Sequence, residues 1–325
     1  MKSTPKTRRA ALLAAPFLLL GNACRDLQPI EAPTAVEAMA APDRAKVELG
    51  QRLFFDRQLS ADGSTACATC HVPVEGGDDD RAVSLGVGGQ AGKRNSPTVL
   101  NAGFKAHLFW DGRATTLEEQ ALMPLRAKDE MGADDAAVLA YLGRDASYPG
   151  EFQAAFGDAA ISMERLASAV ATYQRQLVTP SRVDAFLLGD EGALNAQEQR
   201  GLSFFRGNCT FCHDGPGVGG QRLEKLGFAT EWPAERTHDL GLEERTQDEG
   251  DRLVFAVPQL RNVARTAPYF HDGSVATLEE AIQLMGRHQL GEELTEDQIA
   301  DLVAMLEALS ADPEPRLLQD PNGSR

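Results

Sequence analysis

The longest apolar run of the chain comes first. Ala10 to Leu20 sets eleven residues, interrupted by Pro16, behind a basic stretch holding Lys2, Lys6, Arg8 and Arg9 and no acid. That run is short of the ~20 residues a bilayer span needs, and basic-then-apolar is the order of an export signal. Further on, the apolar positions take helical spacing. Val47, Leu49, Leu53 and Phe54 recur this way within Asp43 to Phe55; Leu202, Phe204 and Phe205 follow the segment opened by Leu194 to Gln199. Ile299, Leu302, Val303 and Leu306 share one face of Thr295 to Leu309. Strand-like alternation is almost absent, so the pattern predicts an all-α fold.

The pattern also repeats. At an offset of 161 residues, Phe109-Trp110-Asp111-Gly112-Arg113 aligns without gaps to Phe270-His271-Asp272-Gly273-Ser274, and Thr116-Leu117-Glu118-Glu119 to Thr277-Leu278-Glu279-Glu280. Pro97 pairs with Pro258 and Asn101 with Asn262 at the same offset. Each Thr-x-x-Glu reads as a capping box, predicting a turn that enters a helix in both copies. A repeat calls for two related units, and length agrees, since 325 residues fit about two domains of ~150.

Composition narrows the classes. The formal charge of −16 argues against nucleic-acid binding, which needs clustered Lys and Arg. Loss of residues 1–23 would remove four cations and no acid, taking the charge to −20. Gly21-Asn22-Ala23-Cys24 resembles the cleavage box of bacterial lipoproteins, so a lipid on Cys24 is expected; the rival is ordinary cleavage nearby, with Cys24 incidental. Residues 24–43, rich in Ala, Pro and Glu, read as a flexible tether. The expected location is the periplasm, anchored to the membrane if Cys24 carries lipid.

The other four cysteines form Cys67-Ala68-Thr69-Cys70-His71 and Cys209-Thr210-Phe211-Cys212-His213. This is the attachment signature of haem c: two thiols add to the porphyrin vinyl groups, and the following imidazole reaches iron. A four-thiolate zinc site or a redox dithiol would leave the His after each pair to coincidence. Two covalent haems, in two cytochrome c-type domains in tandem (44–190 and 191–312, with a tail over 313–325), are therefore expected. The copies differ where it matters. Met285 aligns with Pro124, so the second haem is expected to be His213/Met285 and high-potential, and the first to keep an open face. Core packing is the commoner role of a helical Met. His107 is a rival ligand for the first iron and His288 for the second; His288 is expected at the surface. Gln120 and Glu130 are the polar groups expected opposite the open iron, where a carboxylate could move a proton on bound peroxide.

These residues, with Leu53-Phe54-Phe55-Asp56, Arg94-Asn95-Ser96-Pro97-Thr98, Glu130-Met131-Gly132 and Ala267-Pro268-Tyr269-Phe270-His271-Asp272-Gly273, resemble the bacterial dihaem cytochrome c peroxidases over about residues 44–310. The resemblance implies reduction of hydrogen peroxide at the N-terminal haem with electrons entering at the C-terminal one. Trp110 would lie between the haems, Gln120 and Glu130 would form the distal pair, and His271 would shape the second haem's edge. It also implies a calcium ion held by Asn95, Thr266 and Pro268, a homodimer, and a small periplasmic cytochrome c or cupredoxin as donor. Most such peroxidases carry a distal His in the loop after the first haem motif; Val72 to Gly92 has none. That absence is shared with the dihaem methylamine-utilisation enzymes that mature a quinone in a partner protein, but those replace the sixth-ligand Met by Tyr, and Met285 is kept here. A protein-modifying oxidase and a non-catalytic electron carrier or sensor are the competing functions.

Overall fold

The computed structural model describes residues 26–323. Two helical clusters are built on one plan. In the first, α1 (Ala41–Phe55) leads to the one-turn α2 (Cys67–Cys70), and α3 (Leu117–Arg126), α4 (Asp135–Arg144) and α5 (Tyr148–Phe156) follow before α6 (Met163–Gln174) returns across α1. The crossing is close because of Gly50, where an added Cβ would lie 2.0 Å from Ala169 O. In the second, α7 (Arg182–Leu187) precedes α8 (Ala196–Asn208), which ends at the second cysteine pair, and the short α9 (Glu243–Thr246) and α10 (Leu278–Met285) lead to α11 (Glu296–Ala308) packed across α8. Gly201 allows this crossing, its absent Cβ falling 2.0 Å from Asp301 O. The fold is thus mostly helical. The only named strands among the described residues are β1 (Leu223–Lys225) and β2 (Val254–Ala256), an antiparallel pair.

The repeat is structural as well as sequential. Asn101 and Asn262 both take left-handed backbone (φ 58° and 63°), as do Phe109 and Phe270 (62° and 69°). Leu108 bridges Ala114 as Tyr269 bridges Val275. Thr116 and Thr277 each accept from the backbone N–H three residues on. The reciprocal half of the expected capping box is made in neither copy; in the first, Glu119 Oε2 accepts from Thr115 N instead, at 3.1 Å.

The expected tether is corrected over residues 26–43, which pack against both clusters. Leu27 and Ile30 are buried; Gln28 N donates to Gly215 O and Ile30 N to Asp184 Oδ1. Val36 is fully buried in the first core, and α1 opens already at Ala41. Apolar side chains between the prolines give this stretch anchors that its composition hides. The tail likewise docks on the first cluster, with Tyr173 OH donating to Leu317 O at 2.7 Å. Cys24 and the export signal lie outside the described residues. No helix among the described residues is long and apolar enough to cross a membrane.

Candidate functional site

Both Cys-x-x-Cys-His motifs sit at the end of a helix and the start of a tight turn. His71 follows α2 and its Nδ1 lies 3.4 Å from Gly77 O; burial pushes its ring pKa down. Burial also pushes His213 down, to about 4. A neutral imidazole oriented through one nitrogen is the form that binds a metal with the other. The carbonyls of Pro97 and Pro258, paired by the repeat, act on His71 and His213 respectively, although His213 Nδ1 makes no hydrogen bond of good geometry. The thiols of Cys67 and Cys209 are each pushed up to about 12, chiefly by burial. No disulfide joins the four described cysteines.

Beside the second motif lies a cavity of about 420 Å³, walled mainly by apolar side chains. Cys209, Cys212 and His213 are on its wall together with Ile282, Met285 and Leu306. Its size suits a cofactor, and it brings an imidazole and a thioether into one apolar chamber, so the residues present fit a haem c. The same wall includes Asn95, Thr266, Pro268 and His271. The calcium-associated trio and the haem-neighbour His of the sequence reading are therefore neighbours of one chamber.

Trp110 joins the two halves. Its indole N–H donates to Asn95 O (2.9 Å), and its carbonyl accepts from Ala256 N of β2 (2.7 Å). Its ring meets His271 edge-on at 6.3 Å, while His271 stacks on Phe255 at 4.2 Å. His271 is buried, its Nε2 lacks a partner, and burial pushes its pKa down.

Near the first motif, α3 and the turn after it place the two distal candidates. Gln120 lies on α3; the turn closes with Met131 N donating to Pro124 O and Gly132 N to Ala127 O, which fixes Glu130. Burial pushes the Glu130 carboxyl up, with Arg113 opposing and Asp129 adding to the shift. The Glu130 charge is felt at Cys67 and Cys70, which puts it at the first haem motif. Gln120 makes no side-chain hydrogen bond among the described residues. The His-free loop packs on this turn: Val87, buried, donates its N–H to Glu130 O (2.8 Å), and Gly86 has no room for a Cβ, which would meet Asp129 O at 2.1 Å.

Of the two rival ligands, His107 lines a small cleft with Pro97, Lys105, Trp110 and Pro258. His288, expected at the surface, is buried: the π-turn Gly286–Leu290 after Met285 folds it inward, where Nδ1 lies 3.2 Å from Thr230 O and Trp232 packs edge-on at 5.1 Å. Three charged residues were given no role by the sequence reading. Arg94 bridges Asp111 (2.8 Å) and Asp239 (2.5 Å) across the two halves. Asp78 is buried with both carboxylate oxygens unpartnered, and Lys105 lines the cavity. Asp78 and Lys105 read as ordinary loop residues in sequence, and Arg94, although part of the matched Arg94 to Thr98 stretch, gains its role only from the tertiary contacts.

A family profile described as di-haem cytochrome c peroxidase matches residues 44–192. The cytochrome c551 peroxidase of Nitrosomonas europaea is 39% identical over 93% of this chain and 88% of its own length. That of Pseudomonas aeruginosa is 42% identical over 83% of this chain and 80% of its own. Among solved structures, a MauG-like protein associated with microbial copper homeostasis superposes with a TM-score of 0.74, at 32% identity, covering 91% of this chain and 97% of that one. Likeness of this extent, running through both Cys-x-x-Cys-His units, makes the chain a member of the di-haem cytochrome c peroxidase family, in which two haems are implied.

Proposed function

We propose that this protein reduces hydrogen peroxide to two waters at the haem of Cys67, Cys70 and His71, with two electrons and two protons, the electrons entering at the haem of Cys209, Cys212 and His213. The observation that carries this reading is the asymmetry of the repeat. Met285 lines the second chamber, while Pro124 holds the matching place in the first unit and a half-buried carboxyl, Glu130, stands near the first cysteine pair. When bound, haem supplies the redox-active iron; the rest falls to the chain. Glu130, whose carboxyl burial pushes up, can take a proton from a peroxide oxygen and return it to the departing oxygen. Gln120 orients the peroxide through its amide. Trp110, in contact with both halves, assists passage of electrons between the haems.

Because the loop that touches Glu130 presents Val87 rather than an imidazole, the oxidised protein is read as peroxide-ready without prior reduction. Met285 is a thioether where the quinone-maturing relatives use Tyr, which favours peroxide reduction over modification of a partner protein. The units run over 44–190 and 191–312, with Asn95, Thr266 and Pro268 as the calcium set. A small periplasmic cytochrome c or cupredoxin is the donor, and Cys24 is the lipid site of an exported, dimeric enzyme.

The test pairs an EPR spectrum of the oxidised holoprotein with rapid peroxide mixing. One high-spin and one low-spin ferric signal, followed by a prompt spectral change, are expected; two low-spin signals and no reaction would overturn the reading. Glu130→Gln should slow the peroxide step at least ~100-fold, the usual scale of acid–base catalysis, and near-normal kinetics in that variant would remove Glu130 from its role.

A further inference from the structure

Lys105 stands on the cavity wall and pairs with no carboxylate among the described residues. It follows the short turn Ala102–Phe104, and the backbone around it is clamped to the other half of the molecule. Ala106 N donates to Gly220 O (2.9 Å), and Gln221 Nε2 donates to Phe104 O (2.6 Å). The side chain lies along Gly220, where φ is +83° and a Cβ would come within 3.0 Å of Lys105 Cγ. So held, Lys105 lines both the large chamber, with His213 and Pro258, and the small cleft, with His107 and Trp110.

No side chain or carbonyl among the described residues accepts a hydrogen bond from its ammonium, and burial alone pushes it down to about 8. The nearby arginines differ. Arg94 holds Asp111 and Asp239, Arg222 holds Asp214, and Arg261 holds Asp184. A half-buried ammonium with no anion beside it is costly, so an anion belongs in the space it faces. The chamber is where His213 and Met285 face a common cofactor, and the only anionic groups a haem brings are its two propionates.

We propose that Lys105 is the counter-ion of a propionate on the second haem, so that the N-terminal half supplies a charge that sets the potential of the haem held by the C-terminal half. The inference needs the second haem at Cys209–His213 and is independent of peroxide chemistry at the first. A fixed cation favours the ferrous state, which carries one positive charge fewer than the ferric. Its field also reaches His71, so the first haem should respond in the same direction but less.

The experiment is a spectroelectrochemical titration of the holoprotein, with haem content verified and the second haem recognised by its methionine-ligated ferric spectrum. Lys105→Met and Lys105→Gln should each lower that haem's ferrous-to-ferric ratio at fixed poise about tenfold, or ~59 mV for a one-electron couple. Lys105→Arg, which keeps the charge, should stay near wild type. An unmoved potential in both neutral variants, a fall in the first haem as large as in the second, or an equal fall in Lys105→Arg would each overturn the proposal. Should the neutral variants fail to take up both haems, the wild-type protein decides. Its propionate bending mode in the resonance Raman spectrum should move on exchange into D2O, and a mode that stays put refutes the pairing.

Discussion

At the scale of single residues, Asp78 and Glu130 are two carboxyls with the same cause of perturbation and different consequences. Burial pushes both up, but Glu130 is opposed by Arg113, whereas Asp78 has Asp80 and Asp79 beside it and reaches about 7. Tyr269 also feels the Asp78 charge. A folded pKa raised this far means that above about pH 4 the unfolded chain has released a proton that the folded chain still holds. Stability is therefore lost as pH climbs from about 4 towards 7. Asp78→Asn should flatten that slope, raising the melting temperature of the holoprotein at pH 8 while giving no gain at pH 4. An unchanged slope in a thermal series over this range would show that another group carries it. Sequence reading reached Glu130 through a motif but had no route to Asp78, which stands in an acidic run that looks solvated. Its burial comes from distant chain: Gly76, two residues before it, has Arg265 O 2.7 Å from its Cβ position, and Gly77 has Thr98 Oγ1 at 2.5 Å.

Among elements, the two glycine crossings close the haem units and can be tested against a neutral glycine. Gly201→Ala would set a methyl 2.0 Å from Asp301 O on α11. The ~1 kcal/mol gained in helix propensity is outweighed, because backbone must move, and overpacking of this kind costs about 1–3 kcal/mol. Gly143→Ala in α4 meets nothing within 4 Å and should stabilise by roughly 0.5–1 kcal/mol. Urea unfolding with unchanged slopes should move the two midpoints in opposite directions; a shared direction would mean that the crossing is not tight. These elements were unequally legible. α1, α8 and α11 announce themselves by apolar spacing, and the paired turns by near-identical sequence. α6, which closes the first unit, was not singled out because Ala167, Ala169 and Ala171 bury backbone more than bulk and leave a weak hydrophobic signal. The segment 26–39 hid for a related reason: a few apolar contacts, Leu27, Ile30 and Val36, hold a chain whose composition is that of a linker.

Over the whole molecule, each end of the described residues reaches the unit farther from it in sequence. The segment at Leu27 to Ile30 docks beside α7 and Gly215 of the second unit, through the buried pair Arg261–Asp184. The tail at Arg316 and Leu317 caps α1 and α6 of the first. Between them Trp110, Asn95 and Arg94 cross the boundary. Such a body presents its charge as a unit. Phe211 and Phe228, 58% and 74% exposed, border the second chamber, so a donor docking there, as proposed, meets an apolar contact on a chain whose net charge is −16. Charge of this kind governs encounter more than the bound complex. With a small basic donor, the second-order rate constant should fall at least ~10-fold between about 10 mM and 200 mM salt, as the screening length shrinks below the protein's dimensions. With an acidic donor of the same size it should rise. Stopped-flow oxidation of each reduced donor under single-turnover conditions measures both. A basic donor whose rate ignores salt would mean that the negative charge lies away from the entry face, and that recognition rests on the apolar rim of Phe211 and Phe228 alone.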